Sequence, residues 1–136
     1  MEVFLCHPGG PFYKNKDTAV WSIPKGEFDS DEEPLNAAKR EFEEETGQPI
    51  AGDFEELKPV KYKNGKIVYA WAVQGEVDEH SIKSNLFPLE WPPKSGKYIN
   101  VPEVDRAEWF TVEIAKQKII PALTPLINDL VENVIR

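Results

Sequence analysis

Short apolar segments alternate with polar, turn-forming stretches along most of the chain, and this pattern predicts short β-strands. Residues 2–6 and 19–23 are apolar and β-prone, and a proline-containing turn follows each of them. Residues 54–62 and 66–74 predict a β-hairpin, because Asn64 and Gly65 between them form a strong turn signal. Since apolar side chains occupy both faces of residues 66–74, we expect that strand to be covered on both sides.

The stretch from residue 85 onwards predicts two more strands separated by a loop. Residues 85–91 predict a strand that is interrupted at Pro88, since proline cannot donate a ladder hydrogen bond. Residues 91–102 are rich in proline, glycine and lysine and predict a long irregular loop. Residues 107–110 predict the last strand.

The C-terminal part of the chain predicts two helices. Thr111 is a suitable N-cap for a helix over Val112–Lys118, and Pro121 opens a final helix that ends near Arg136. An apolar stripe on the final helix should pack against the sheet. This stripe consists of Leu123, Leu126, Ile127, Leu130 and Ile135.

Residues 26–47 predict an acidic loop followed by a helix. Pro34 suits the first helical turn, where its missing N–H has no cost, and Gly47 suits the left-handed position after the last turn. Glu41, Glu44 and Glu45 stand at i, i+3 and i+4 and therefore share a helix face of about 100°. We expect this face to border the buried side of the helix, which carries Leu35, Ala38 and Phe42.

The three carboxylates on this face repel one another unless a cation lies between them. Oxygen ligands suit Mg²⁺ and Mn²⁺, so we expect Glu41, Glu44 and Glu45 to hold one of these ions. Arg40, four residues before Glu44, is placed to orient the set through a charge-assisted hydrogen bond. The alternative is an acidic helix face that is simply solvated.

The spacing of these residues resembles the Nudix box, which runs Gly, five residues, Glu, seven residues, then Arg-Glu-apolar-x-Glu-Glu-x-Gly-apolar. Gly26, Glu32 and the stretch from Arg40 to Gly47 fit it, whereas Gln48 stands at a packing position where the family has an aliphatic residue. The chain therefore resembles a Nudix hydrolase. The stretches HPGGPFYKNKD and EWPPKSG also resemble a bacterial subgroup of predicted nucleoside triphosphate pyrophosphohydrolases.

The resemblance implies an α/β fold, an α/β/α sandwich around a mixed β-sheet, in a single domain over residues 1–136. Nudix domains usually have one more strand before the one at residues 2–6. The chain begins too late to contain it, so we expect that strand to be missing, or its place to be filled by another segment or chain. The resemblance also implies that the carbonyl oxygen of Gly26 joins the three glutamates as a metal ligand.

The reaction implied is metal-dependent hydrolysis of a diphosphate bond in a nucleoside diphosphate linked to another group. Glu44 and Arg40 belong to the expected catalytic set, and a further carboxylate must act as general base. We expect Glu103, in the loop before the last strand, to be that base, with Glu90 as the alternative; Glu103 could instead be a surface partner of Arg106. A diadenosine polyphosphate hydrolase, an enzyme for non-nucleotide diphosphates and a nucleotide-sensing module without activity remain open.

Candidate substrate contacts come from two cationic segments. Tyr13, Lys14 and Lys16 lie in a loop that could meet a nucleobase or phosphates, although an ordinary surface loop fits equally well. Lys25 is placed to meet a phosphate, or to pair with Glu27 or Asp29. Histidines are not expected as ligands, since His80 is predicted to be solvated and His7 to lie in a loop.

Charge and composition limit the kinds of partner. The net charge of −8 is local, because nine of the 24 acids and only two of the 16 bases lie in residues 26–47. With no basic stripe, a nucleic-acid polymer is not expected; the expected partner is a small (di)nucleotide or another diphosphate, and a homodimer is left open. No apolar run is long enough to cross a membrane, and the single cysteine, Cys6, fits a reducing cytoplasm.

Overall fold

A computed structural model of the protein describes residues 1–25 and 31–134, and within them the chain forms eight strands and three α-helices. The strands are β1 (Glu2–Pro8), β2 (Glu55–Glu56), β3 (Val60–Lys61), β4 (Ile67–Val68), β5 (Trp71–Ala72), β6 (Leu86–Glu90), β7 (Tyr98–Pro102) and β8 (Val104–Thr111). The α-helices are α1 (Pro34–Thr46), α2 (Val112–Lys118) and α3 (Thr124–Asp129).

The strands associate as several short antiparallel sheets. The pairs are β1–β8, β2–β5, β3–β4 and β6–β7, of which β1–β8 is the longest and has a bulge between His7 and Pro8. A bridge between Trp21 and Ile119 is parallel. The fold is thus α/β with several short sheets. A single mixed sheet between helical layers, and the absence of the usual first strand, stay predictions.

The predicted hairpin at residues 54–74 is confirmed as a pairing but not as a covered strand. The Leu57 N–H donates to the Ala70 carbonyl oxygen at 2.9 Å between the two short strand pairs. Val68 and Ala70 are buried, whereas Ile67 is 46% and Tyr69 is 45% exposed. Coverage of both faces was therefore a wrong expectation here. Ile67 and Tyr69 instead border a wide cavity of about 1640 Å³, whose lining also includes residues of β1 and α1.

Two strand assignments were also wrong. Residues 19–23 form no strand, and only Trp21 and Ser22 make isolated bridges to neighbouring segments. The predicted irregular loop at residues 91–102 contains β7, which pairs with β6. The carboxylate of Glu90 explains the return of the chain, because it accepts hydrogen bonds from the Lys94 N–H at 3.0 Å and the Gly96 N–H at 3.2 Å.

The C-terminal segment packs as expected but is not one regular helix. Thr111 caps α2, whose bounds are those predicted. After it, a 3₁₀ turn (Pro121–Leu123), α3 and a π-helical turn (Leu130–Val134) follow in place of the continuous helix. Leu123, Leu126 and Ile127 are buried as predicted, while Ile135 and Arg136 lie outside the described residues. In the described part of the chain, no helix is long and apolar enough to cross a membrane.

The core positions the acidic helix against the longest strand pair. Leu5, Trp21 and Ile119 are almost completely buried between β1, α2 and the C-terminal segment. On α1, the ring of Phe42 lies 6.1 Å from the ring of Phe4 in β1, measured between centroids. The carboxylates of α1 consequently lie beside β1 and the chain segments that flank it.

Candidate active site

The helix α1 has a defined start and a defined end, which fix the direction of its side chains. At the start, the Glu33 carboxylate accepts hydrogen bonds from the N–H groups of Leu35 and Asn36, at 3.4 and 3.2 Å. At the end, Gly47 adopts a left-handed conformation with φ of 75°, and its N–H donates to the Glu43 carbonyl oxygen at 2.7 Å. The predicted roles of Pro34 and Gly47 are therefore confirmed.

Glu45 is the most deeply placed carboxylate of the predicted metal set. It is 7% exposed, and it accepts a hydrogen bond from the Lys25 backbone N–H. Its Oε2 atom is buried and makes no hydrogen bond within the described residues. Burial, followed by the charges of Glu103 and Glu41, raises the pKa of Glu45 to about 8. Such an oxygen is stabilised by a proton or by a cation, so its surroundings fit the expected ion.

Glu41 and Glu44 lie beside Glu45 on α1 and share the guanidinium of Arg40. The Arg40 Nη1 atom lies 2.9 Å from Glu41 Oε1 and 3.2 Å from either carboxylate oxygen of Glu44. Its Nε and Nη2 atoms bind the two oxygens of Glu32, both at 2.8 Å. Arg40 therefore contacts Glu44 as expected, and it also ties the loop at Glu32 to the helix.

The predicted ligand set stays a prediction, although the chemistry of its donors is suitable. Within residues 1–25 and 31–134, no three His, Cys, Asp or Glu side chains form a ready metal site. Gly26, whose carbonyl oxygen is the fourth predicted ligand, lies outside the described residues. Burial, followed by the charge of Glu44, raises the pKa of Glu41, and the contact with Arg40 acts in the opposite direction.

Glu103 lies between β7 and β8 and is connected to the acidic helix through the backbone. Its N–H donates to the Asn85 carbonyl oxygen at 2.9 Å, and the Asn85 N–H donates to the Glu44 carbonyl oxygen at 2.8 Å. The charge of Glu103 contributes to the raised pKa of both Glu45 and Glu41, so its carboxylate lies near these two residues. Arg106, which was the alternative partner of Glu103, instead lies 3.7 Å from Asp17.

Glu90, the alternative base, is engaged elsewhere. Both of its carboxylate oxygens accept backbone N–H groups of the turn between β6 and β7. This role holds the turn in shape and leaves the carboxylate directed at that turn. The geometry therefore favours Glu103 over Glu90 as the carboxylate that acts beside α1.

The loop at residues 9–17 begins directly beside Glu103. The Gly9 N–H donates to the Glu103 carbonyl oxygen at 3.1 Å, and a Cβ atom on Gly9 would lie only 1.9 Å from the Pro102 carbonyl oxygen. Further along the loop, the Lys16 ammonium lies 3.5 Å from the centroid of the Phe12 ring, and Phe12 and Tyr13 pack edge-on at 4.9 Å. Lys14 is exposed. The loop thus carries its cations and aromatic rings on a base fixed at Glu103.

Lys25 lies next to Glu45, whose carboxylate accepts a hydrogen bond from the Lys25 backbone N–H. The residue is exposed as a whole, yet protein atoms partly desolvate its ammonium, which lowers the pKa of Lys25. The charge of Lys66 lowers the pKa further, whereas Glu45 acts against both. A lysine next to the carboxylate cluster fits the expected phosphate contact, while Glu27 and Asp29, its alternative partners, lie outside the described residues.

Sequence reasoning missed His7, which was expected in a loop. His7 lies in β1, is completely buried, and contacts both Asp105 and the loop at residues 9–17. The signal was present, because Leu5 and His7 lie on one face of a strand that extends two residues beyond the predicted end. His80 is exposed, as expected.

Comparison with known proteins decides the family. The sequence model of the NUDIX domain family matches residues 2–130 of this chain. The chain belongs to the Nudix hydrolase family. As a Nudix hydrolase it is a pyrophosphohydrolase that acts on acid anhydrides, and members of this family generally use a divalent metal.

Two curated relatives and one solved structure agree with this assignment. An RNA pyrophosphohydrolase of Brucella anthropi is 32% identical over 123 residues, which cover 84% of this chain and 69% of that protein. The mRNA-decapping protein g5R of African swine fever virus is 41% identical over 61 residues, 41% of this chain and only 24% of that protein. The solution structure of the E. coli ORF135 protein has a TM-score of 0.57 at 21% identity, and the match covers 96% of this chain and 79% of that one. This last likeness shows the shared fold.

Proposed function

We propose that this Nudix hydrolase cleaves a diphosphate bond in a nucleoside diphosphate linked to another moiety, in the manner of a nucleoside triphosphate pyrophosphohydrolase. The observation that carries the proposal is the buried Oε2 atom of Glu45, which has no hydrogen-bond partner among residues 1–25 and 31–134 and lies near the charges of Glu41 and Glu103. A carboxylate cluster of this kind needs a cation in order to be fully ionised. A divalent metal ion would supply that positive charge, and the anionic diphosphate of the substrate would bind to it.

In the proposed site, Glu41, Glu44 and Glu45, with the Gly26 carbonyl oxygen, hold Mg²⁺ or Mn²⁺. When bound, the ion would lower the pKa of a bound water and neutralise charge on the phosphates. Arg40 orients Glu44 and Glu41 through its guanidinium. Glu103 accepts the proton of the water that attacks phosphorus, and the bond to the leaving phosphate oxygen breaks.

Substrate contacts in this proposal come from two chain segments near the carboxylate cluster. Lys25 approaches the phosphates beside Glu45, and Lys14 and Lys16 approach from the loop at residues 9–17. Tyr13 offers an aromatic face to the base of a nucleotide. The placement of that loop beside Glu103 supports this assignment.

A second candidate substrate is the 5′ end of RNA. The names of two relatives favour it, since one is an RNA pyrophosphohydrolase and the other an mRNA-decapping protein. The net charge of −8 argues against a long RNA footprint, because phosphate contacts beyond the reaction centre need basic residues. Diadenosine polyphosphates and non-nucleotide diphosphates are the remaining alternatives.

The test is a substrate panel with Mg²⁺ or Mn²⁺, followed by phosphate and pyrophosphate release. The panel contains nucleoside triphosphates, nucleoside diphosphates joined to a sugar, diadenosine polyphosphates and a 5′-triphosphorylated oligonucleotide. We expect the highest kcat/KM on a mononucleotide substrate. A preference for the oligonucleotide would replace the first proposal by the second, and a preference for diadenosine polyphosphates would favour that alternative. A cytoplasmic location and a homodimer stay predictions.

A further inference from the structure

His7 is a completely buried histidine whose two ring nitrogens both face oxygen acceptors. Its Nε2 atom lies 2.6 Å from the carbonyl oxygen of Lys16, in the loop at residues 9–17. Its Nδ1 atom lies 2.8 Å from the Oδ1 atom of Asp105, on the neighbouring strand β8. The imidazole therefore joins the strand pair β1–β8 to the loop that carries Tyr13, Lys14 and Lys16.

Counting hydrogens in this arrangement leaves few choices. A carbonyl oxygen only accepts, so the His7 Nε2 atom must carry hydrogen. The contact between Nδ1 and Asp105 then needs one more hydrogen, which belongs either to the imidazole or to the carboxyl group. An imidazole is ordinarily a much stronger base than a carboxylate, so the second hydrogen belongs to His7 and the negative charge to Asp105. Water can reach the Asp105 side chain, which is 28% exposed, and stabilises that negative charge.

The other charged groups near His7 are engaged with partners of their own. Arg106 stands opposite His7 in the strand register, but its guanidinium lies over the Trp21 ring at 5.3 Å and 3.7 Å from the Asp17 carboxylate. Asp17 also accepts hydrogen bonds from Trp21 and Lys118, and these bonds lower the pKa of Asp17. The Lys16 ammonium lies over Phe12, away from the carbonyl that His7 binds. Asp105 is thus the carboxylate in direct contact with the imidazole among the described residues.

We infer that His7 is a positioning residue that carries hydrogen on both ring nitrogens and, through Asp105 and the Lys16 carbonyl, holds the loop at residues 9–17 in place for substrate. The inference rests on the proposed function in one respect, that this loop meets the substrate. Without this clasp, by which we mean the contacts of His7 with Asp105 and with the Lys16 carbonyl oxygen, the loop keeps its base at Gly9 and the bonds of Asp17 but loses the contact that fixes its backbone at Lys16. Substrate binding is then weakened, while the carboxylates of α1 keep their positions.

The protonation state of His7 can be measured directly by ¹⁵N NMR of the histidine rings at about pH 7.5, where an exposed imidazole is mostly neutral. The chain has two histidines, so exposed His80 serves as an internal reference, and His80→Gln assigns the signals. We expect both nitrogens of His7 to have the chemical shifts of protonated nitrogens. A bare nitrogen on His7 at this pH would overturn the inference.

Substitution of Asp105 separates positioning from general packing. In Asp105→Asn, the amide can donate to a bare Nδ1 atom while Nε2 still donates to Lys16. The loop then stays anchored, but His7 becomes neutral in the NMR spectrum. In Asp105→Ala the imidazole loses the partner that orients it, and in His7→Gln the imidazole itself is lost. For both variants we expect KM to rise, by about tenfold in His7→Gln, with kcat within about twofold of wild type. Because Asp105 lies partly at the surface, its variants test the idea even if His7→Gln does not fold.

Amide hydrogen exchange of residues 9–17 reports on the loop without any substrate. We expect faster exchange there in Asp105→Ala and near-native exchange in Asp105→Asn and His80→Gln. Equal exchange and equal KM in Asp105→Ala and wild type would refute the positioning role. If the substrate panel shows no hydrolysis at all, the proposed function fails, while the NMR and exchange measurements still decide whether the clasp exists.

Discussion

At the scale of single residues, two carboxylates compete for the role of general base, and the structure distinguishes their surroundings. The charge of Glu103 acts on Glu45 of α1, whereas both oxygens of Glu90 hold a turn. We predict that Glu103→Gln lowers kcat by about two to four orders of magnitude at saturating metal, with little change in melting temperature. Glu90→Gln is the matched control and should retain most of kcat. If the two variants exchange these outcomes, Glu90 is the base.

A second residue-scale prediction concerns the pH dependence of stability through Glu45. Its folded-state pKa of about 8 exceeds the ordinary 4.5, so between these values the folded protein keeps a proton that the unfolded chain has lost. Metal-free protein should therefore lose stability as pH rises from about 4.5 to about 8, by up to a few kcal/mol.

Glu45→Gln removes this dependence, because an amide does not ionise. Urea unfolding in the presence of a chelator, at about pH 5 and about pH 8.5, gives the comparison. We expect the advantage of Glu45→Gln over wild type to be larger at the higher pH. An advantage that does not change with pH would show that Glu45 ionises in the folded protein as it does in the unfolded chain, and would contradict the prediction.

The contrast between Arg40 and His7 shows which residue-scale features sequence reasoning reaches. The contact of Arg40 with Glu44 was predictable, because helical spacing alone brings residues four apart together. The contact of His7 with Asp105 joins residues 98 positions apart, and no local pattern encodes it. The catalytic role of Glu103 and the substrate contacts of Lys14, Lys16 and Lys25 stay predictions.

At the scale of elements, the end of α1 depends on a glycine that has two separate reasons to be there. Gly47 has φ of 75°, and a Cβ atom would also lie 2.7 Å from the Lys83 carbonyl oxygen. Gly65, in the hairpin turn, has φ of 90° but open space around it. We predict that Gly47→Ala destabilises the fold by more than the 1–2 kcal/mol, roughly, of left-handed strain alone.

Gly65→Ala is the control that carries the strain without the clash. Urea unfolding of both variants measures the difference, which we expect to be at least about 1 kcal/mol. Equal losses would mean that Lys83 moves aside freely. Activity should fall with Gly47→Ala as well. Backbone hydrogen bonds join Lys83 and Asn85 to this end of the helix, and a further one joins Asn85 to Glu103.

Elements with strong local signals were predicted well, and those fixed by tertiary contacts were not. The bounds of α2 and the start and end of α1 follow from capping residues, proline and glycine. The strand β7 was missed because residues 91–102 are rich in proline and glycine, which is typical of a loop. The Glu90 carboxylate at the end of β6 binds the turn that leads back into β7, and composition does not reveal this contact. Residues 19–23 have the composition of a strand, but only Trp21 and Ser22 pair with neighbouring segments, each through an isolated bridge.

At the scale of the whole molecule, family membership was predictable because the box residues lie close together in sequence. The pairing of β1 with β8 joins segments that lie far apart in sequence, and the acidic helix packs beside that pair. A ligand that binds the cluster on α1 is therefore linked to global unfolding and not merely to a local loop. This linkage makes the metal site testable without knowledge of the substrate.

We predict that Mg²⁺ or Mn²⁺ stabilises the native protein, since an ion that binds only the folded state at a hundredfold over Kd adds about 2.7 kcal/mol. For a domain of this size, that corresponds to a rise in melting temperature of several degrees, measurable by calorimetry after a chelator wash. Glu44→Gln should lose most of this rise together with its turnover, whereas Glu43→Gln, an exposed neighbour outside the ligand set, should keep both. In metal-free protein, removal of one charge from the cluster should leave Glu44→Gln at least as stable as wild type, because repulsion falls. A wild-type melting temperature that ignores millimolar metal, or equal behaviour of the two variants, would remove the ligand assignment on α1.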